Sequence, residues 1–521
     1  MKLSTLDVTV VAVYAVSLLV LAQWVSREKA GHSKNTSDYF LAGRALPWWA
    51  IGASLIAANI SAEQIIGMSG SAWVLGIAIG AYEWMAAVTL IIVGKWVLPV
   101  FLKHKIYTMP QFLEERYDHR VRSVMAIFWL GVYVFVNLTS ILWLGALAVN
   151  TVTGIDLVWG LVGLAAFATA YSLYGGLKAV ALTDIIQVTL LVLGGLLIAW
   201  IALDEVGGGA GPLAGFAMLV DKVPEKFDMI FTKDSPHYAL LPGISVLVGG
   251  MWIMNLSYWG FNQYIIQRAL AAKSTREAQK GIMFAAYLKM LMPVIVVLPG
   301  VAAVMLAPDL EAPDKAYPTL MNLLPAGLLG LVFAALIAAI VSSLASMMNS
   351  ISTIFTMDLY RHFGNGHKSE HHLVRVGRLA SLTAIVIAVI VARPLLGQFD
   401  QAFQYIQEFT GFFTPGVCAL FILGIFWKRT TANGALGTAL GSAIFSVALK
   451  LFWPELPFID RVGLVFLLCI ATGMIISLSQ PVEVHPDAIE YKDVDTATSS
   501  GFNIAGLGVV LMLIALYATW W

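Results

Sequence analysis

Between Ser54 and Ser71 the chain runs through an apolar stretch, begun near Leu46, that is long enough to cross a bilayer. In its middle stand Asn59, Ser61, Glu63 and Gln64 within six residues. A polar group left unpaired in hydrocarbon costs several kcal/mol, so a cluster at membrane depth faces a cavity, an ion or a partner. Glueing a helix to its neighbours takes small residues and an occasional hydroxyl, not this density. The stretch reads as a helix broken at a binding site.

The rest of the chain supplies the membrane setting. It is 59% hydrophobic and only 12% charged, against about 25% charged in soluble proteins. Apolar runs at 6–25, 46–70, 74–101, 121–150, 156–175, 180–203, 243–267, 277–307, 326–357, 374–393, 401–427, 431–452, 458–479 and 502–521 have the length of membrane helices rather than barrel strands. The expected class is an all-α polytopic membrane protein with about fourteen transmembrane helices embedded in the lipid bilayer. The first run lacks a small-x-small cleavage site and reads as a retained helix. A formal net charge of zero, with no basic tail, argues against nucleic acid as a partner. Cys418 and Cys469 lie inside apolar runs, in neither a disulfide nor a metal-ligand spacing.

Lys and Arg gather in alternate connections: Arg27 to Arg44, Lys103 to Arg122, Lys178, Arg268 to Lys280, Arg361 to Arg378, and Lys428 with Arg429. The positive-inside rule makes these cytoplasmic and puts both termini outside; the acidic connection 480–500 departs from the pattern. The outside loop after Asp204 opens on a glycine-rich segment and reads as a surface helix or lid. His362, His367, His371 and His372 share one connection without a ligand spacing and read as a solvated loop.

Runs two to six and seven to eleven each make five helices. Five is odd, so the second set enters from the opposite side, as an inverted repeat. Run seven is also interrupted, by Asn255, Ser257, Gly260, Asn262 and Gln263 between apolar ends. Interrupted helices at matching places in two halves point to a transporter's binding site. The organisation expected is 1–45, an N-terminal peripheral helix and cytoplasmic loop; 46–204, the first repeat; 205–242, the outside loop; 243–427, the inverted second repeat; and 428–521, C-terminal peripheral helices.

Glu83 is the one charge between Val74 and Gly94, and Lys289 the one charge between Gly281 and Ala307. They read either as an ion pair holding two helices together or, with the amides of Gln64, Asn255 and Gln407, as a site for a polyol, where Glu accepts and Lys donates. In run nine, Ser342 and Ser343 lie one turn after Ala339. Their hydroxyls either back-bond to their own helix or join the Ala339 carbonyl and the carbonyls of Ala57 and Ile60, freed by the break, around an ion. Uncharged hard oxygens suit Na⁺. Met68, Tyr133 and Phe403 on one side, and Tyr258 with Trp259 on the other, are placed to close the site or to pack. Asp184 either attracts a departing cation or caps its helix. There is no Walker loop, nucleophile elbow or zinc box, hence no sign of ATP hydrolysis, covalent chemistry, enzymatic activity or an organic cofactor.

Four segments carry a resemblance: Ser54 to Ser71, Gly175 to Gln187, Tyr258 to Arg268 and Ile340 to Ser346. Together they resemble the sodium:solute symporter family, on its sodium/galactose and sodium/glucose branch. The resemblance implies a leucine-transporter-type core of five plus five inverted helices with flanking helices. It also implies import of a hexose, galactose or glucose, with sodium by alternating access across a bacterial inner membrane. Same-fold symport of another sugar, a polyol or a carboxylate, and sugar sensing without transport, are the alternatives. By position it implies that Gln64, Glu83, Asn255, Lys289 and Gln407 bind sugar, supported by Asn59. Ala57, Ile60, Ala339, Ser342 and Ser343 would hold sodium. Met68, Tyr133 and Phe403 would form the outer gate, Tyr258 an inner gate stacked on the sugar ring, and Asp184 would sit near the ion's exit. Ala86 stands where the branch carries a serine.

Overall fold

The computed structural model describes residues 3–25, 36–361, 369–397, 402–481 and 491–521. Arg27, Lys29, Lys34, His362, His367 and much of the acidic connection lie outside the described residues. Every apolar run is helical. Ten of the described helices are long and apolar enough to cross a membrane, or eleven when the bent pair Ala402–Thr410 and Thr414–Phe426 counts as one. That is fewer than the fourteen expected, for a physical reason. Runs two and seven are broken into pieces too short to cross alone, and run five is a shorter apolar helix, Leu157–Ser172.

Run two is helical over Trp48–Asn59, leaves the helix at Ile60 (φ −72, ψ 79), and resumes through a wide turn, Glu63–Gly67, into Met68–Leu75. Run seven is helical over Gly250–Phe261, extended at Asn262, and helical again over Gln263–Leu270. Both breaks fall inside the polar segments that predict them. A short parallel bridge ties one end of run two to one end of run seven: Leu46 N–H donates to the Ala271 carbonyl at 3.0 Å, and Lys273 N–H to the Leu46 carbonyl at 3.3 Å. Run two also lies backbone to backbone on run eight, Thr275–Met292. A Cβ on Gly52 would stand 2.7 Å from the Gly281 carbonyl oxygen. Close approach of this kind replaces the hydrophobic driving force that lipid does not provide.

A single helical stretch, Leu157–Val206, takes in runs five and six. It doubles back within itself, because the Tyr171 hydroxyl meets Thr183 and accepts from Gln187 Nε2 at 3.3 Å. In a straight helix Tyr171 and Gln187 would stand about 24 Å apart. Run two passes into run three through Gly76, whose φ of 72 and ψ of −154 end Met68–Leu75 before Ala81–Ile92 begins. The connection after run six carries an 11-residue helix, Pro212–Lys222. Lys226 then closes on the Gly76 turn, its Nζ donating to the Val74 carbonyl at 2.7 Å.

Burial separates core from periphery. Of the most apolar window of each helix, 83% is buried in Leu328–Tyr360 but 17% in Thr5–Trp24 and in Ser500–Thr519. Run nine is the central post, and runs one and fourteen face lipid.

Candidate substrate and ion site

The break in run two, the break in run seven and the polar faces of runs three, four, eight and eleven surround one cavity of about 120 Å³. Drug-sized ligands occupy roughly 300–1,000 Å³, so this space suits a small solute. All seven residues singled out for a solute line it: Asn59, Gln64, Glu83, Asn255, Tyr258, Lys289 and Gln407. Five of them form one hydrogen-bonded chain. Lys289 Nζ donates to Glu83 Oε2 at 2.5 Å and to Asn59 Oδ1. Gln64 Nε2 donates to Glu83 Oε1 at 2.9 Å, and Asn59 Nδ2 donates to the Tyr258 hydroxyl at 3.0 Å. Glu83 and Lys289 are each 1% exposed at their side chains, and the ammonium lies 5.1 Å over the Trp259 ring. The ion pair is thus formed, and it is also the centre of an amide network facing the cavity. Among the described residues Gln64 Oε1 has no partner and is buried. Asn255 Nδ2 turns back to the Met251 carbonyl at 3.1 Å.

The residues singled out for closure fall at the cavity's edges. Phe403 and Tyr133 line it, while Met68 is 1% exposed and packs outside the lining. Phe403 stands edge-on to Tyr82 at 5.4 Å and fits against Gly67, where a Cβ would lie 2.9 Å from its own. Tyr258 is bonded to the Tyr264 hydroxyl, and Tyr133 to the Asn262 side chain at the second break.

The residues singled out for an ion lie where runs two and nine meet. Ser343 Oγ sits 3.3 Å from the Ala57 carbonyl oxygen and 3.0 Å from that of Ala58. Ser342 Oγ donates to Asp184. Neither hydroxyl bonds within its own helix; Ser346 and Ser350 do so instead, to Ser342 and Ser346. Ile60 N–H still donates to the Ile56 carbonyl at 2.7 Å, and Ile60 and Ala339 are both buried. Asp184 is fully buried and stands inside Leu157–Val206 rather than at its start, so it does not cap that helix. Its other oxygen accepts from Ser54 Oγ at 2.5 Å, and Ser54 Oγ in turn accepts from Arg268 Nε at 2.9 Å. Sequence reasoning missed this Arg268–Ser54–Asp184–Ser342 chain and the second carboxylate of the cavity, Glu63. The signal for Glu63 was present, as a charge inside an interrupted run; Arg268 stands just past run seven, where it reads as a connection charge.

The sodium:solute symporter family model matches residues 39–441. The chain belongs to that family. As a family member it is a sodium-coupled symporter and a multi-pass membrane protein, not an enzyme. It is 50% identical to a sodium/glucose cotransporter of Vibrio parahaemolyticus, with 100% of this chain and 99% of that one covered. It is 34% identical to sodium/myo-inositol cotransporter 2 of Mus musculus, over 85% of this chain and 70% of the relative. Among solved structures, a Na⁺-coupled sialic acid symporter in an outward-open state superposes with a TM-score of 0.79 at 24% identity, covering 92% of this chain and all of that one. Mhp1, a nucleobase-cation-symport-1 family transporter, superposes at 0.56 and 13% identity over 87% of this chain and 98% of its own. Both likenesses concern the fold, which for this symporter is the all-α class expected.

Proposed function

We propose that this symporter imports a hexose, glucose or galactose, driven by sodium entry through alternating access. One observation carries the reading: a buried carboxylate–ammonium pair bracketed by amides faces a small cavity whose wall is the broken run two. A sugar presents several hydroxyls, each both donor and acceptor. Glu83 accepts from them, Lys289 donates, and Gln64, Asn59, Asn255 and Gln407 do either. Tyr258 stacks on the ring from below, and Met68, Tyr133 and Phe403 close the site from outside. Sodium sits at the carbonyls of Ala57, Ile60 and Ala339 with the hydroxyls of Ser342 and Ser343, and Asp184 draws it toward the cytoplasm. Both termini lie outside a bacterial plasma membrane, and residues 46–204 and 243–427 are the two inverted halves. The sodium/glucose name of the 50% identical relative supports the hexose.

A neutral polyol is the second reading, favoured by the sodium/myo-inositol name of the 34% identical relative and by Ala86, which offers the cavity no hydroxyl. Uptake of labelled glucose, galactose and myo-inositol, with and without sodium, separates these. Sodium-dependent uptake of a hexose is expected. A hexose that never enters, or enters equally without sodium, contradicts the proposal.

A further inference from the structure

The cavity holds a second carboxylate that the network above does not use. Glu63 begins the wide turn after the first break and lines the cavity. Its Oε1 meets the Ser140 hydroxyl, which also lies 2.9 Å from the Asn137 carbonyl oxygen, so one proton serves two acceptors. Among the described residues no group donates to Oε2, and no Lys or Arg lies within ion-pair distance of Glu63. Among the described residues Lys289 is the one cation in the lining, and it is committed to Glu83 and Asn59. With all three groups ionised, the lining therefore carries one uncompensated negative charge and an acceptor short of donors.

We infer that Glu63 sets the charge class of the solute, admitting neutral and amino sugars and rejecting acidic ones. This rests on the reading of the cavity as a sugar site. A hydroxyl or ammonium of the solute supplies the donor that Oε2 lacks. A solute carboxylate would instead stand beside Glu63 in a site of low dielectric, with no free cation to receive it, and such like-charge contacts are costly.

The test is competition with labelled glucose uptake by unlabelled glucose and by glucuronate, at neutral pH and saturating sodium, on wild type, Glu63→Gln and Glu63→Asp. Glucuronate should inhibit wild type and Glu63→Asp at least about tenfold more weakly than glucose, as a like charge in a binding site requires. In Glu63→Gln the gap should shrink to about threefold or less on the same ground. An equal gap in wild type and Glu63→Gln overturns the inference. So does a wild type that accepts glucuronate as well as glucose, a result that needs no variant to fold. If wild type takes up no hexose, the hexose reading is what fails, and the same comparison is run with myo-inositol as the neutral solute.

Discussion

At the scale of single residues the account turns on Glu83 and Lys289. Glu83→Gln strips the charge from the partner of a fully buried ammonium, and breaking such a pair costs about 3–5 kcal/mol. Glu83→Gln and Lys289→Ala should each reduce hexose uptake to background while the protein still reaches the membrane. The double variant should stay inactive, because the sugar has lost both partners; transport restored by the second change would mark the pair as structural only. Tyr258 offers a finer test. Tyr258→Phe keeps the ring and gives up hydrogen bonds to Asn59 and Tyr264, so it should retain much of the uptake. Tyr258→Ala should lose most of it. Equal behaviour of the two would count against stacking on the ring. These residues were legible in the sequence because a polar side chain at membrane depth needs a reason. Their partners were less so. That Ser342 donates to Asp184, and that Asp184 shares Ser54 with Arg268, depends on runs two, six, seven and nine meeting, which no local pattern encodes.

At the scale of elements, both broken helices were legible and the bend in run eleven was not. The breaks stand out as amides in mid-run, whereas the bend falls at Gly411-Phe-Phe413 between Thr410 and Thr414-Pro415, a turn signal that the reading of run eleven as one helix passed over. The return between runs two and three rests on Gly76. Its φ of 72 and ψ of −154 place it where essentially only glycine goes, and a Cβ there would lie 2.1 Å from the Lys226 carbonyl oxygen. Gly76→Ala should cost about 1–3 kcal/mol in backbone strain alone and should free the 205–242 connection. Lower thermal stability in detergent, with faster proteolysis between residues 205 and 242, would show it; wild-type values for both would mean the turn tolerates a side chain. A second contact joins elements near the proposed gate. Asp314, 2% exposed, accepts from the Ala402 N–H at 3.0 Å, next to Phe403 and against Gly70 of run two. Asp314→Ala removes a cap of about 0.5–2 kcal/mol. It should therefore raise the labelling, by an impermeant thiol reagent from outside, of a cysteine introduced at Gln407. Unchanged labelling would detach this loop from closure.

At the scale of the whole molecule, the claim is that sodium and sugar sit on opposite sides of one broken helix. Ala57 and Asn59 lie on its first half, Ile60 at the break and Gln64 just past it. An ion held there would fix the shape in which Asn59 and Gln64 meet the sugar. The inverted order of the two halves was expected because each set holds five helices, an odd number, whereas the meeting of runs two and nine was expected only from their proposed ion ligands. The size of the cavity and the closed hydrogen-bond network were not, since both depend on how the halves dock. Exchange of labelled against unlabelled sugar across proteoliposomes should be seen, and binding without exchange would make the protein a sensor. Coupling between two bound ligands is reciprocal, which gives the most direct measurement. Sugar affinity at zero and saturating sodium, and sodium affinity at zero and saturating sugar, should change by the same factor in wild type. In Ser343→Ala more sodium should be needed to reach the same sugar affinity. Sugar that binds equally tightly with and without sodium, or a sodium dependence untouched by Ser343→Ala, would contradict the placement of the ion at this helix break.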